Sequence, residues 1–130
     1  MVEQENNKNG VTELRRKDIS DVLKQGYKGD IYTYIGRMID THILRPSRYE
    51  PGNQKVYSPH DILRAACALE ISKSGFSWPE VAESMSARSI VRFESGLVRS
   101  SKKWKLILEH TKKIGVDIKN YPNLAFIGEE

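Results

Sequence analysis

Thr33 and Arg37 stand one helical turn apart in the stretch DIYTYIGRMIDTHI, residues 30–43. Lys28, Arg45, Arg48 and Lys55 lie to either side of it. Side chains of these types can bind polyanions. If 30–43 is a helix, Ile31, Ile35, Ile39 and Ile43 recur every fourth residue and make one buried ridge. With Ile35 facing inward, Thr33 and Arg37 face outward and Tyr34 flanks the ridge. Arg reads guanine through two hydrogen bonds, and Thr and Tyr can reach base edges. Lys28, Arg45, Arg48, Gln54 and Lys55 fall on turn-rich segments, which suits contacts to phosphates. Asp30 and Asp40 share the outward face with Arg37 and can instead neutralise it.

Other chemistries find no support in the sequence. Cys67 is the only cysteine, and His42, His60 and His110 have no metal-ligand spacing. No Ser/His/Asp set, phosphate-binding glycine loop or paired carboxylate stands in a supporting context. The chain therefore reads as a binding protein without metal or cofactor, not as an enzyme. Cys67, mid-helix among apolar neighbours, reads as a buried packing residue.

The elements that must position these residues are legible from capping signals. Asp18 can cap a short helix carrying Ile19, Val22 and Leu23, and Gly26 and Gly29 break it before Asp30 caps the next. Residues 45–58, RPSRYEPGNQKVYS, hold a turn signal at Glu50-Pro51-Gly52-Asn53. Arg48-Tyr49 and Lys55-Val56-Tyr57 can pair across it as a short hairpin, a "wing"; a plain surface loop is the alternative. Ser58 and Pro59 then open a helix whose stripe is Ile62, Ala66 and Leu69, with Leu63 and Cys67 beside it. Gly75 ends that helix. Ser77 and Glu80 form a capping box for the next, with Phe76 able to staple onto Val81.

The chain has 130 residues, 38% hydrophobic and 29% charged, enough for a real core. Its net charge is +4. Lys and Arg exceed acids nine to six over residues 11–60 and eight to two over 86–115. That distribution fits an acidic partner, and it fits two solvated basic faces equally. There is no run of 18 apolar residues to cross a membrane. Residues 1–10, MVEQENNKNG, read as a disordered tail with no signal peptide. The single cysteine fits a reducing, cytoplasmic setting.

The order helix, turn, helix, basic hairpin, helix pair resembles the MerR-type winged helix-turn-helix family over about residues 17–85. Three motifs carry the resemblance: Ile43-Leu44-Arg45-Pro46, Lys55-Val56-Tyr57-Ser58, and Gly75-Phe76-Ser77 with Glu80 and Val81. It departs in a longer first turn, in Gly36-Arg37-Met38 where an Arg-Tyr-Tyr run is common, and in lacking the long dimerising coiled coil. The resemblance implies a mainly α, winged helix-turn-helix domain over 11–85, a duplex-DNA-binding regulator, and a homodimer on a two-fold site. An excisionase-like or phage-packaging architectural role is the near alternative, and a protein-binding adaptor the distant one.

Residues 86–130 read as a helical C-terminal extension for packing or dimerisation. Only 101–114 reads as a firm helix, about 20 Å long at 1.5 Å per residue. Its apolar side, Trp104, Ile107, Leu108 and Ile114, is the expected dimer face. The apolar tail 116–130 is expected to pack back on the domain, on a second subunit, or on a protein partner.

Overall fold

The computed structural model describes residues 13–52 and 54–128. The tail expected over residues 1–10 and Asn53 of the expected turn lie outside them. The described chain is mainly helical, with one small hairpin. In order come α1 (Arg16–Leu23), α2 (Ile31–Asp40), β1 (Arg48–Glu50), β2 (Gln54–Val56), α3 (His60–Ser72), α4 (Trp78–Met85), α5 (Arg88–Arg99) and α6 (Lys102–Lys113). A 3-10 turn, Pro122–Leu124, closes the tail.

Local capping chemistry sets most of these limits. Asp30 Oδ1 accepts from the Thr33 N–H at 3.3 Å, which starts α2. Ser77 and Glu80 cap α4 reciprocally, the Ser77 N–H donating to Glu80 Oε1 at 2.8 Å and the Glu80 N–H to Ser77 Oγ at 3.4 Å. Ser101 Oγ accepts from the Trp104 N–H at 3.2 Å and starts α6. Two starts differ from expectation. Asp18 is the third residue of α1 rather than its cap, and its carboxylate accepts from the Arg15 N–H at 2.9 Å. α3 begins at His60, with Pro59 in the cap position, while Asp61 accepts from the Ser58 N–H at 3.2 Å.

α2 stops at Asp40, three residues short of the expected end. His42 takes φ 66°, and the Ile43 N–H turns back to the Met38 carbonyl at 2.8 Å. This chain reversal satisfies the end of the helix. Ile43 is still buried, but it belongs to the corner.

α3 is the centre of the core. The expected single stripe is too narrow, because Ile62, Ala65, Ala66, Cys67, Ala68, Leu69 and Ile71 are all buried. The three alanines let neighbouring helices approach closely, and α5 and α1 pack against α3. Phe76, expected to close on Val81, stays 48% exposed.

The C-terminal third belongs to the same core. Val98, Trp104, Ile107, Val116 and Leu124 share one buried cluster with residues from Leu14 to Met85. Trp104 and Ile107 are completely buried, and Leu108 is half-buried. The expected dimer face is therefore covered by the chain's own α1 and tail. Gly26 shows how close that packing is, since a β-carbon there would stand 3.0 Å from Lys103 Cβ. Trp104 Nε1 donates to the Leu124 carbonyl at 2.8 Å and fixes the tail, and the Ile127 N–H donates to the Arg99 carbonyl at 3.1 Å. Of the four residues proposed for dimerisation, Ile114 alone remains exposed.

Candidate nucleic-acid interface

The hairpin pairs Arg48 with Val56, Tyr49 with Lys55 and Glu50 with Gln54 in antiparallel register. A further pairing extends it: Leu14 and Tyr57 exchange both backbone hydrogen bonds, at 2.8 and 2.7 Å. That bridge ties the residues just before α1 to the hairpin. It also places Arg15 and Arg16 beside the outward face of α2.

The result is an open groove of about 620 Å³ bounded by the start of α1, the outer side of α2 and β2. Arg15, Arg16, Lys17, Arg37 and Lys55 line it, with Asp40 as the one acid among the described lining residues. Tyr32, Thr33, Gly36, Ile39, Gln54 and Tyr57 complete it.

Arg16 is held across α2. Its Nε and Nη2 donate to the Tyr32 carbonyl at 3.2 and 2.8 Å, and its Cζ lies 3.8 Å from the centroid of the Tyr32 ring. Arg15 donates to Gln54 Oε1 and to Glu50 Oε1. Arg37 is exposed and makes no ion pair among the described residues, so neither Asp30 nor Asp40 neutralises it directly. Asp30 is engaged by Thr33, whose hydroxyl donates to Oδ2 at 2.7 Å; this bond and the Thr33 N–H hold the Asp30 carboxyl below its usual range.

The sequence-derived DNA-binding residues separate into four places. Thr33, Arg37, Gln54 and Lys55 meet in this groove. Tyr34 and Lys28 do not: they line a second groove with Tyr27, Phe76 and Trp78, where the Tyr34 and Trp78 ring centroids are 5.8 Å apart. Tyr34 thus faces α4, away from Thr33 and Arg37, because its position flanks the buried Ile31–Ile35 ridge. Arg45 lies in a third groove, beyond the 42–45 corner. Arg48 is exposed on β1, but Glu13 accepts from its Nε and Nη2 at 2.8 and 2.6 Å, and Glu50 stands 3.3 Å from Nη2. Those bonds hold the Glu13 carboxyl below its usual range and raise the Arg48 pKa. Arg48 is consequently less available to phosphate than Lys55.

Arg15, Arg16 and Lys17 were missed by the sequence reading. The signal available was an alternation at 13–15, exposed Glu13, buried Leu14, exposed Arg15, which marks an extended segment with one face on the core.

Among the described residues, no group of three His, Cys, Asp or Glu is placed to hold a metal ion. No helix there is long and apolar enough to cross a membrane. Cys67 is 1% exposed, and burial pushes its thiol up to about 12. Against family models, curated proteins and solved structures the chain finds no match.

Proposed function

We propose that the chain is a winged helix-turn-helix protein that binds duplex DNA sequence-selectively and acts as a transcriptional regulator. The observation that carries this reading is the groove shared by α1, α2 and the hairpin. It gathers five cations around an exposed helix face whose Arg37 has no ion-pair partner among the described residues. In this reading α2 enters the major groove, with Arg37 and Thr33 at base edges. Arg16, Lys17 and Lys55 hold phosphates on either side, while Arg15, paired with Glu50, braces the hairpin beside them.

A two-fold DNA site calls for two copies of the chain. With Trp104 and Ile107 buried, the surface offered to a second copy is the outer side of α5. There Ile90, Phe93 and Leu97 are 39, 64 and 52% exposed. They recur at i, i+3 and i+7, one stripe of a helix.

Selection of binding sites from random duplex DNA tests the reading. One enriched palindrome is expected, with binding that weakens steeply as salt rises. Enriched direct repeats favour the architectural role instead. Absence of salt-dependent duplex binding overturns both DNA readings and leaves the adaptor. Sedimentation of wild type and Phe93→Asp tests the dimer: twofold mass is expected for the first and single-chain mass for the second.

A further inference from the structure

α5 has three distinct sides. Val91 and Val98 face the core, with Val98 2% exposed. Ile90, Phe93 and Leu97 form the exposed apolar side. At 100° per residue, Arg88, Arg92 and Arg99 fall within about 40° of one another on the side opposite that apolar stripe. This arginine side lines the third groove, about 820 Å³ and open to solvent.

Two further arginines enter the groove from other elements, Arg45 from the corner after α2 and Arg64 from α3. Arg64 Nε donates to the Ile43 carbonyl at 2.5 Å, and Arg99 Nε to the Ser95 carbonyl at 3.3 Å, which leaves the Nη groups of both free of those bonds. None of the five forms an ion pair among the described residues. Among the described residues the single acid lining it is Asp61, which is buried and accepts from the Ser58 N–H. Five guanidinium groups share one concavity, and among the described residues no carboxylate stands at ion-pair distance from them. Asp61, on which Arg64 acts, offsets part of their mutual repulsion, and an entering anion relieves the rest.

We propose that this groove, lined by Arg45, Arg64, Arg88, Arg92 and Arg99, is a second binding site for a phosphodiester backbone, and that it takes the DNA flanking the sequence read by α2. The inference rests on the duplex-binding reading above. Its length selects a polymer over a single small anion. Arg88 and Arg99 are separated by about 16 Å along the helix axis at 1.5 Å per residue. One phosphate cannot touch both ends, whereas a DNA strand presents a charge every 3.4 Å or so along its axis. Position selects the flank. Ile39 and Asp40 line the first groove, and Ile43 and Arg45 line this one. The two grooves are thus lined by residues on either side of the turn at 41–42, and the proposal routes the backbone around that turn from the first into the second. Arginine throughout, rather than lysine, suits paired hydrogen bonds to phosphate oxygens.

The test uses the full chain and two duplexes, one trimmed to the selected site and one extended by about one helical turn, roughly 10 bp, at each end. Arg88 and Arg92 are exposed, so Arg88→Gln/Arg92→Gln is expected to fold as the wild type does, checked by its melting curve. For wild type, extension should tighten binding and steepen the log–log salt slope. The double variant should lose that gain, with a slope on the long duplex shallower by about 1.8 per chain, 0.9 for each phosphate contact. Its selected sequence should not change. Arg88→Lys/Arg92→Lys should restore most of the slope. If the Gln variant keeps the wild-type gain and slope, the groove assignment is wrong while the α2 reading stands. If it instead loses binding to polyglutamate but not to DNA, the groove belongs to an acidic peptide. If wild type binds no duplex, the function proposed above fails and this site fails with it.

Discussion

Arg16 lies across Gly36. A β-carbon on residue 36 would stand 2.5 Å from Arg16 Nη2 and 2.9 Å from its Cζ. Glycine in a helix interior costs about 1 kcal/mol relative to alanine. Here it opens the space that lets the guanidinium rest on Tyr32 and face the groove. Gly36→Ala is expected to fold with stability within about 1 kcal/mol of wild type, the better helix propensity offsetting the displaced contact. Duplex affinity should fall about fivefold for all sequences alike, as one positioned cation leaves, which corresponds to about 1 kcal/mol. Unchanged affinity in a titration would show that Arg16 takes no part in binding.

The hairpin's two basic strands are expected to behave differently. Arg48 is bonded to Glu13 and Glu50, whereas Lys55 opens onto the first groove. Lys55→Ala should make the salt slope shallower by about 0.9 per chain. Arg48→Ala should change it by clearly less, because its charge is already matched. Arg37→Ala should cost about 1–3 kcal/mol and relax the preference at one base position per half-site. Selected-site profiles and salt slopes for the three variants, measured side by side, decide this. A larger loss for Arg48 than for Lys55 would mean that Glu13 releases Arg48 on binding.

What the sequence disclosed was local. Asp30, and Ser77 with Glu80, cap helices because a side chain meets an N–H three residues on, and that geometry is written in the spacing. The hairpin followed from a turn flanked by pairable strands. What stayed hidden depends on distant partners. The Leu14–Tyr57 bridge joins residues far apart in sequence, so Arg15, Arg16 and Lys17 had no visible place in the site. α5 escaped because Ala87 supplies no side-chain cap, Gly96 interrupts it, and its larger apolar residues point outward. The stripe of Trp104 and Ile107 was legible as a buried face, but periodicity says only that something covers it, not what.

That stripe has a consequence for truncation. Ending the chain after Gly96 removes Val98, Trp104, Ile107, Val116 and Leu124 from the core. The shortened chain is expected to lose cooperative unfolding. The gentler Trp104→Ala should cost about 3–5 kcal/mol, by lost burial and the cavity left behind. Denaturant melts followed by far-ultraviolet circular dichroism give both answers. A sharp transition in the truncated chain would show that the first 96 residues fold alone.

Tyr57 offers a change in the opposite direction. The residue is 1% exposed, and its hydroxyl has no hydrogen-bond partner among the described residues. Burial pushes that hydroxyl up to about 12. A buried, unpaired polar group costs roughly 1–3 kcal/mol. Tyr57→Phe keeps the ring and drops the cost, so it should raise stability by about 1 kcal/mol without changing duplex affinity. A lowered midpoint in urea would reveal a partner for the hydroxyl.

Asp61 gives the chain a pH dependence of known sign. Burial raises its pKa from 3.8 to about 6, against the opposing pull of the Ser58 N–H and then of Arg64. The folded state therefore holds this proton more tightly than the unfolded state does. Between about pH 4 and pH 6 the folded chain binds more protons at this site, so the contribution of Asp61 to stability falls as pH rises through that window. A shift of about two units corresponds to about 3 kcal/mol. Asp61→Asn removes the titration and keeps an oxygen to accept from the Ser58 N–H. The variant should match wild type below about pH 4 and gain progressively to about pH 6, ending up to about 3 kcal/mol more stable. Urea midpoints of the two proteins across pH 3.5 to 7, roughly the window those pKa values define, give the difference directly. A difference that shrinks as pH rises would mean that Arg64 outweighs burial and stabilises the ionised carboxylate.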